Sequence, residues 1–256
     1  MRDCNHKILE MYKSDSIVSL IVLSLLKLTN CYDYYLFASI WSGSSCYLQQ
    51  CWNNQTQDLS PNFFNIHGLW PNNWEGYPSW CDNNTEYNSN YIEPALYAEM
   101  GKFWNGMNWT TDAFHAHEWS KHGTCWNDPA GYNDEDPQKQ DDFFFRVMTL
   151  AGEIDIYKVL ANNEVFPSFS PYPIDAFTQS FNSSWGNSSY LLNCEMDTQG
   201  SQYLFSVYIC IDLEYQIMDC PDNVATSFND LCPWNSTVYY LPVQAQHKKN
   251  ALYTYD

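Results

Sequence analysis

Apolar and polar positions along the chain change period several times, and the changes mark out its elements. Residues 34–41 are aromatic and β-prone and predict a first strand, which ends at Ser42-Gly43-Ser44-Ser45-Cys46. Cys46 and Cys51 then bracket a short loop. Phe64 and Ile66 alternate with Asn65 and His67, so a second strand delivers His67 to its end, and Gly68 and Pro71 turn the chain away. Residues 77–81 read as loop. Within 91–104, Leu96, Met100, Phe103 and Trp104 fall at i, i+4, i+7 and i+8, the spacing of an amphipathic helix. Residues 133–142 form an acidic connection that reads as a solvated loop. Phe144, Val147, Met148 and Ala151 mark a helix, and 154–160 a further one. Pro167, Pro171 and Pro173 break the chain before a short helix near 174–181. Residues 190–194, 203–211 and 215–220 read as strands, the middle one apolar nearly throughout and therefore central. No internal repeat, heptad pattern or long linker divides the chain, so the pattern predicts one α+β domain.

The first 31 residues follow another logic. Arg2, Lys7 and Lys13 precede a run, 17–26, that is apolar apart from Ser19 and Ser24, and Lys27 closes it. The run is short of the roughly 20 residues a membrane span needs and suits a secretory signal peptide cut near Thr29-Asn30-Cys31. Asp3, Glu10 and Asp15 in its long opening region leave an uncleaved anchor as the alternative. Cleavage would remove Cys4 and Cys31 from the 10 cysteines, leaving an even set suited to disulfides in an oxidising compartment. Asn-x-Ser/Thr sequons at Asn54, Asn83, Asn108, Asn182, Asn187 and Asn235 agree with a secreted or lysosomal glycoprotein. The domain that remains is then 32–256.

Charge changes the picture next. The 256 residues carry a net charge of −19, which excludes a general polyanion binder. A nucleic-acid substrate would have to be met by a local basic site, or at acid pH, where carboxylates neutralise and histidines are expected to charge.

One stretch supplies such a site. Phe114-His115-Ala116-His117-Glu118-Trp119-Ser120-Lys121-His122-Gly123-Thr124-Cys125 holds three of the chain's six histidines. On a helix His117 and Lys121 share one row, and Glu118 and His122 the adjacent row. Gly123 then stops the helix, as glycine past a last turn does. Zinc is a poor fit, because the zinc signature spaces its histidines at i and i+4, while His117 and His122 diverge by roughly 140°. Acid–base chemistry fits better, since imidazole titrates near ~6.5.

Together, FNIHGLWPNN and HEWSKHGTC resemble the two active-site segments of the ribonuclease T2 family, the acid endoribonucleases that include plant self-incompatibility ribonucleases. The similarity extends to LWPNN…GYP…C and to YLFSVYICID ahead of a further cysteine pair. Trp41-Ser42 stands where a Trp-Pro pair is usual, and Ser120 fills a slot often acidic. The resemblance implies a twisted antiparallel sheet with helices packed against it, in a single disulfide-bonded domain, and single-stranded RNA cleavage without metal or cofactor. His122 would take the proton of the ribose 2′-OH, and His67 would protonate the leaving 5′-oxygen. His117 would hold the phosphate, while Glu118 and Lys121 would stabilise the pentacoordinate phosphorus. Trp70, Tyr77 and Phe114 fall where the family stacks a base, and Asn72 where a polar group reads its edge. The resemblance also implies the pairs Cys46–Cys51, Cys81–Cys125, Cys194–Cys232 and Cys210–Cys220. A monomer acting on RNA through 2′,3′-cyclic phosphates, and not on DNA, is the resulting expectation. A catalytically silent homologue serving as a recognition or cytotoxic protein is the alternative.

Overall fold

The computed structural model describes residues 32–243 apart from 50, 52–58, 128–135, 227 and 229. Residues 1–31, expected to be a signal peptide, and Asn54 lie outside the described residues. The sheet is built on β1 (Tyr34–Ile40), every residue of which is buried. Alternation divides its side chains. Tyr35 and Phe37 enter the main core, whereas Tyr34, Leu36 and Ala38 join a smaller cluster on the other face. β2 (Asn65–Asn72) pairs antiparallel with β1. On the other side lies β5 (Gln202–Ile211), which also pairs with β4 (Tyr190–Met196) and β6 (Thr237–Tyr239). The apolar run 203–211 is thus the centre of the sheet, as its composition predicts. The β5–β6 pairing is parallel, so the sheet is mixed rather than wholly antiparallel. A two-residue β3 (Tyr172–Pro173) closes the far edge on β6.

Helices cover the main-core face. α1 (Ser42–Gln49) replaces the loop expected around Cys46. α2 (Pro94–Phe103) starts two residues past a 3-10 turn. The Glu93 carboxylate caps it by accepting from the amides of Ala95 and Leu96. α3 (Thr111–Lys121) is capped by Thr110, whose hydroxyl accepts from the Ala113 amide. α4 (Pro137–Ile154) begins inside the segment expected to be loop. Asp136 caps it and Pro137 occupies its first turn, so the Asp136 carboxylate sits at the helix N-terminus, where its charge suits the dipole. Phe143, Phe144, Val147, Leu150, Ala151 and Ile154 form its buried stripe. α5 (Ile156–Asn162) and α6 (Ile174–Trp185) follow, with a short α7 (Asp222–Thr226) beyond β5.

Two sequence readings are corrected here. Residues 215–220 make a turn and one bridge, Ile211 to Ile217, rather than a strand. Asp212 organises that turn, its carboxylate accepting from the amides of Glu214 and Gln216. And β2 does not stop at His67 but runs on to Asn72. Ser39 pairs with Ile66 and Ala38 with Gly68, which leaves His67 as an extra residue in a bulge. The break in alternation that reads as a strand end is this bulge. It resets the phase, so that Ile66 and Leu69 both enter the core while His67, Trp70 and Asn72 stay half-exposed.

Among the described residues four disulfides tie the fold: Cys46–Cys51, Cys81–Cys125, Cys194–Cys232 and Cys210–Cys220. Each bridge closing a loop of tens of residues contributes typically about 2–4 kcal/mol. Of the described sequons, Asn83, Asn187 and Asn235 are exposed. Asn108 and Asn182 are half-buried and use their side chains in hydrogen bonds to Gln49 and Tyr190.

Candidate active site

Two elements bring the predicted chemistry together. The β2 bulge supplies His67, and the indole of Trp104 fixes it by donating to the His67 carbonyl at 3.0 Å. α3 supplies His117, Glu118 and Lys121, and His122 follows at its C-cap. Between the two elements Gly68 is indispensable. A Cβ there would sit 2.2 Å from Glu118 Oε2 and 2.6 Å from Trp70 Nε1. Only a bare backbone lets the carboxylate reach across to β2.

Glu118 is 1% exposed, lies 3.7 Å from His67 Nε2, and accepts the Trp70 indole N–H at 3.0 Å. Burial pushes its carboxyl up to about 8, against the opposing pulls of the Trp70 hydrogen bond and Lys121. Glu118 therefore carries a proton at acid and neutral pH. His122 is also buried, and its imidazole is lowered to about 2 by desolvation first and then by Lys121 and the other histidines. His67 is lowered to about 4 by burial, Lys121 and His117. Its side chain remains 30% open to solvent, so a substrate can reach it. His117 is lowered by desolvation and by Lys121. The expectation that these histidines charge near pH 5 is thus corrected. In the free protein His67 and His122 stay neutral there, and the Lys121 ammonium is among the causes that lower all three imidazoles.

Trp70 ties the groups to one another. Its indole crosses the His67 ring edge-on at 4.9 Å and stacks on His122 at 5.1 Å, 23° from parallel. Beside it opens a pocket of about 230 Å³, bordered by Trp70, Asn72, Asn73, Tyr77, Lys121 and His122. Asn73 Oδ1 is buried and makes no hydrogen bond to a described residue. Phe114 stands apart from this pocket, against His67 and Trp109. The structure therefore groups Trp70, Asn72 and Tyr77 and sets Phe114 apart from them, against His67.

His115, the third histidine of the segment, is no part of the site. It is fully buried and its Nε2 lies 2.8 Å from the Trp104 carbonyl oxygen. Gly123 is needed for space rather than for a left-handed turn. A Cβ there would meet Trp119 Cε3 at 2.5 Å, and the chain continues into a 3-10 turn, 123–125. Sequence reasoning missed Trp80 and Trp109, whose indoles flank His117 at 5.7 and 5.2 Å. Their only prior signal is their aromatic character near the site.

Comparison with known proteins supplies a family. The sequence profile described as the Ribonuclease T2 family matches residues 32–220. Extracellular ribonuclease LE of Solanum lycopersicum is 30% identical over 204 residues, covering 78% of this chain and 85% of that protein. Ribonuclease T2 of Danio rerio is 29% identical over 222 residues, covering 80% and 85%. Among solved structures, RNase NT in complex with 5′-AMP superposes with a TM-score of 0.67 at 25% identity, covering 82% of this chain and 98% of that one.

Proposed function

The chain belongs to the ribonuclease T2 family, and from that premise we propose that it cleaves single-stranded RNA by transesterification with two histidines as acid and base. The observation that carries this reading is the gathering of His67, His117, Glu118, Lys121 and His122, from two distant segments, around one partly open site. A neutral imidazole is what a base requires, and His122 is held neutral by its surroundings. It takes the proton of the ribose 2′-OH as that oxygen attacks phosphorus. The bond from phosphorus to the 5′-oxygen breaks, and protonated His67 delivers its proton to the departing oxygen. The product is a 2′,3′-cyclic phosphate. With the roles reversed, water opens it to a 3′-phosphate. Each positioned acid or base contributes on the order of 10²–10⁴ in rate.

Lys121 and His117 hold the phosphate, and Glu118, protonated at working pH, donates a hydrogen bond as charge builds at phosphorus. Trp70, Asn72 and Tyr77 receive a base in the neighbouring pocket, with Phe114, set apart from them against His67, taking another. No metal is required, because the substrate brings its own nucleophile. We place the protein in the extracellular space or the endomembrane lumen, as a monomer. Four disulfides, three exposed sequons and a relative named as extracellular support that placement.

A single 2′-deoxy nucleotide 5′ of the scissile phosphate tests the mechanism. Cleavage should stop at that bond while binding persists, and EDTA should leave the all-ribose rate unchanged. Cutting of the deoxy-substituted bond near the control rate would end the transesterification reading.

A further inference from the structure

Trp80 sits in a loop, yet it is held more firmly than a loop residue needs to be. Its backbone has φ of 54°, a left-handed conformation that a bulky side chain adopts only when its surroundings enforce it. Two fasteners do so. Its amide N–H donates to the Lys121 carbonyl at 3.0 Å, and the next residue, Cys81, is bonded to Cys125 at the end of the second active-site segment. Both fasteners come from the catalytic segment itself. They present an indole that is 43% exposed and that meets the His117 ring nearly at right angles, 79°. The imidazole of His117 has a second aromatic neighbour in Trp109, so Trp80 is not needed merely to confine it.

We propose that Trp80 is a stacking platform for an RNA base outside the two that flank the scissile phosphate. This rests on the reading of the site as a ribonuclease centre, and it extends that site along the substrate. The pocket beside Trp70 lies at the Lys121–His122 end of the catalytic segment, and Trp80 lies beyond it against His117, one helical turn back along α3. A strand whose phosphate is held between His117 and Lys121 therefore passes the exposed indole as it leaves the site. Charge gives the platform its purpose. A chain of net charge −19 with 11 Lys+Arg gains little from phosphate contacts along a strand. Stacking works on any base and does not require cations. One such base is worth about tenfold in affinity.

The test compares two substrates that share one scissile step: a ribodinucleotide, and a hexanucleotide with one ribose at that step and 2′-deoxy elsewhere. In the wild type, kcat/KM should be higher on the hexanucleotide. Trp80→Leu should lower the ratio of hexanucleotide to dinucleotide kcat/KM about tenfold, chiefly through KM, and Trp80→Phe should restore most of it. Circular dichroism melting checks that both variants fold. An unchanged ratio would overturn the proposal, whether both substrates lose equally, as for a residue that only orients His117, or neither loses. Binding of the all-deoxy hexanucleotide supplies a readout free of catalysis. Trp80→Leu should weaken it about tenfold even if the wild type cut neither substrate, an outcome that would remove the ribonuclease reading alone. Equal binding by wild type and Trp80→Leu would remove the platform.

Discussion

The indole of Trp70 stacks on the imidazole of His122 at 5.1 Å while its Nε1–H donates to Glu118 at 3.0 Å. One strand residue thus governs two groups of the α3 segment, one by its face and one by its edge. It stands at the rim of the neighbouring pocket as well.

Trp70→Phe separates these duties. The ring face is kept, and the buried Glu118 oxygen loses its donor, a loss of about 1–3 kcal/mol. Because the Trp70 hydrogen bond lowers the Glu118 carboxyl, its removal raises it further. Steady-state kinetics should show kcat reduced about tenfold with KM changed less. A change confined to KM would mean that Trp70 serves the base alone.

Glu118→Gln should stabilise the protein increasingly as pH rises. The folded carboxyl is raised from 4.5 to about 8. Its contribution is full below 4.5 and is lost as pH climbs toward 8, because the unfolded chain sheds the proton that the folded one retains. Glutamine is neutral throughout. Urea unfolding should find the variant's advantage growing by on the order of 3 kcal/mol between pH 5 and pH 8, with activity lost. An advantage independent of pH would contradict the protonated assignment.

The pH profile should be acid, for a specific reason. With His122 lowered to about 2 and His67 to about 4, the pairing of neutral base with protonated acid is most populated between those values. In the free enzyme kcat/KM should fall about tenfold per pH unit above the His67 value. A bound phosphate stabilises imidazolium, so kcat should hold to higher pH than kcat/KM. Stability opposes the trend. The folded values of both histidines are depressed, so their contribution is present above about 6.5 and is lost as pH falls toward the folded values. Wild-type profiles of both constants, read with melting curves, check this. Identical profiles for kcat and kcat/KM would refute the phosphate effect.

Gly68→Ala should abolish activity and cost about 1–3 kcal/mol of stability. The added methyl collides with both Glu118 and the Trp70 indole nitrogen, and neither can move without breaking the hydrogen bond between them. Thermal unfolding together with cleavage of an RNA homopolymer would show it. Wild-type rates in this variant would mean the carboxylate has freedom that the packing denies.

Much of this architecture was open to reading from side-chain periodicity and the two motifs. The stripe of α4 and the apolar β5 announce themselves, because burial demands their spacing. The β2 bulge does not. Its evidence is a missing partner on β1, a relation between residues some thirty positions apart, and in the sequence it imitates a strand end. The depressed histidines were likewise hidden. Composition suggested imidazoles that charge near pH 5, whereas their ionisation depends on how much water the fold removes. Trp80 carried no local signal beyond its aromatic character, since its importance lies in what Lys121 and Cys125 do to its backbone. The disulfide pairs came only with the family resemblance, since spacing alone leaves eight cysteines 105 connectivities.

The Cys81–Cys125 bond also gives the site a memory of where the chain has been. While both thiols are reduced, as in the cytosol, the Trp80 loop keeps its amide hydrogen bond to Lys121 and its ring contact with His117 but loses its covalent tie to the second active-site segment. The wall that Trp80 forms is then held less firmly until the bridge closes. If the chain cleaves RNA as proposed, its reduced form is a poorer threat to cellular RNA than its oxidised form, and no inhibitor is needed for the difference.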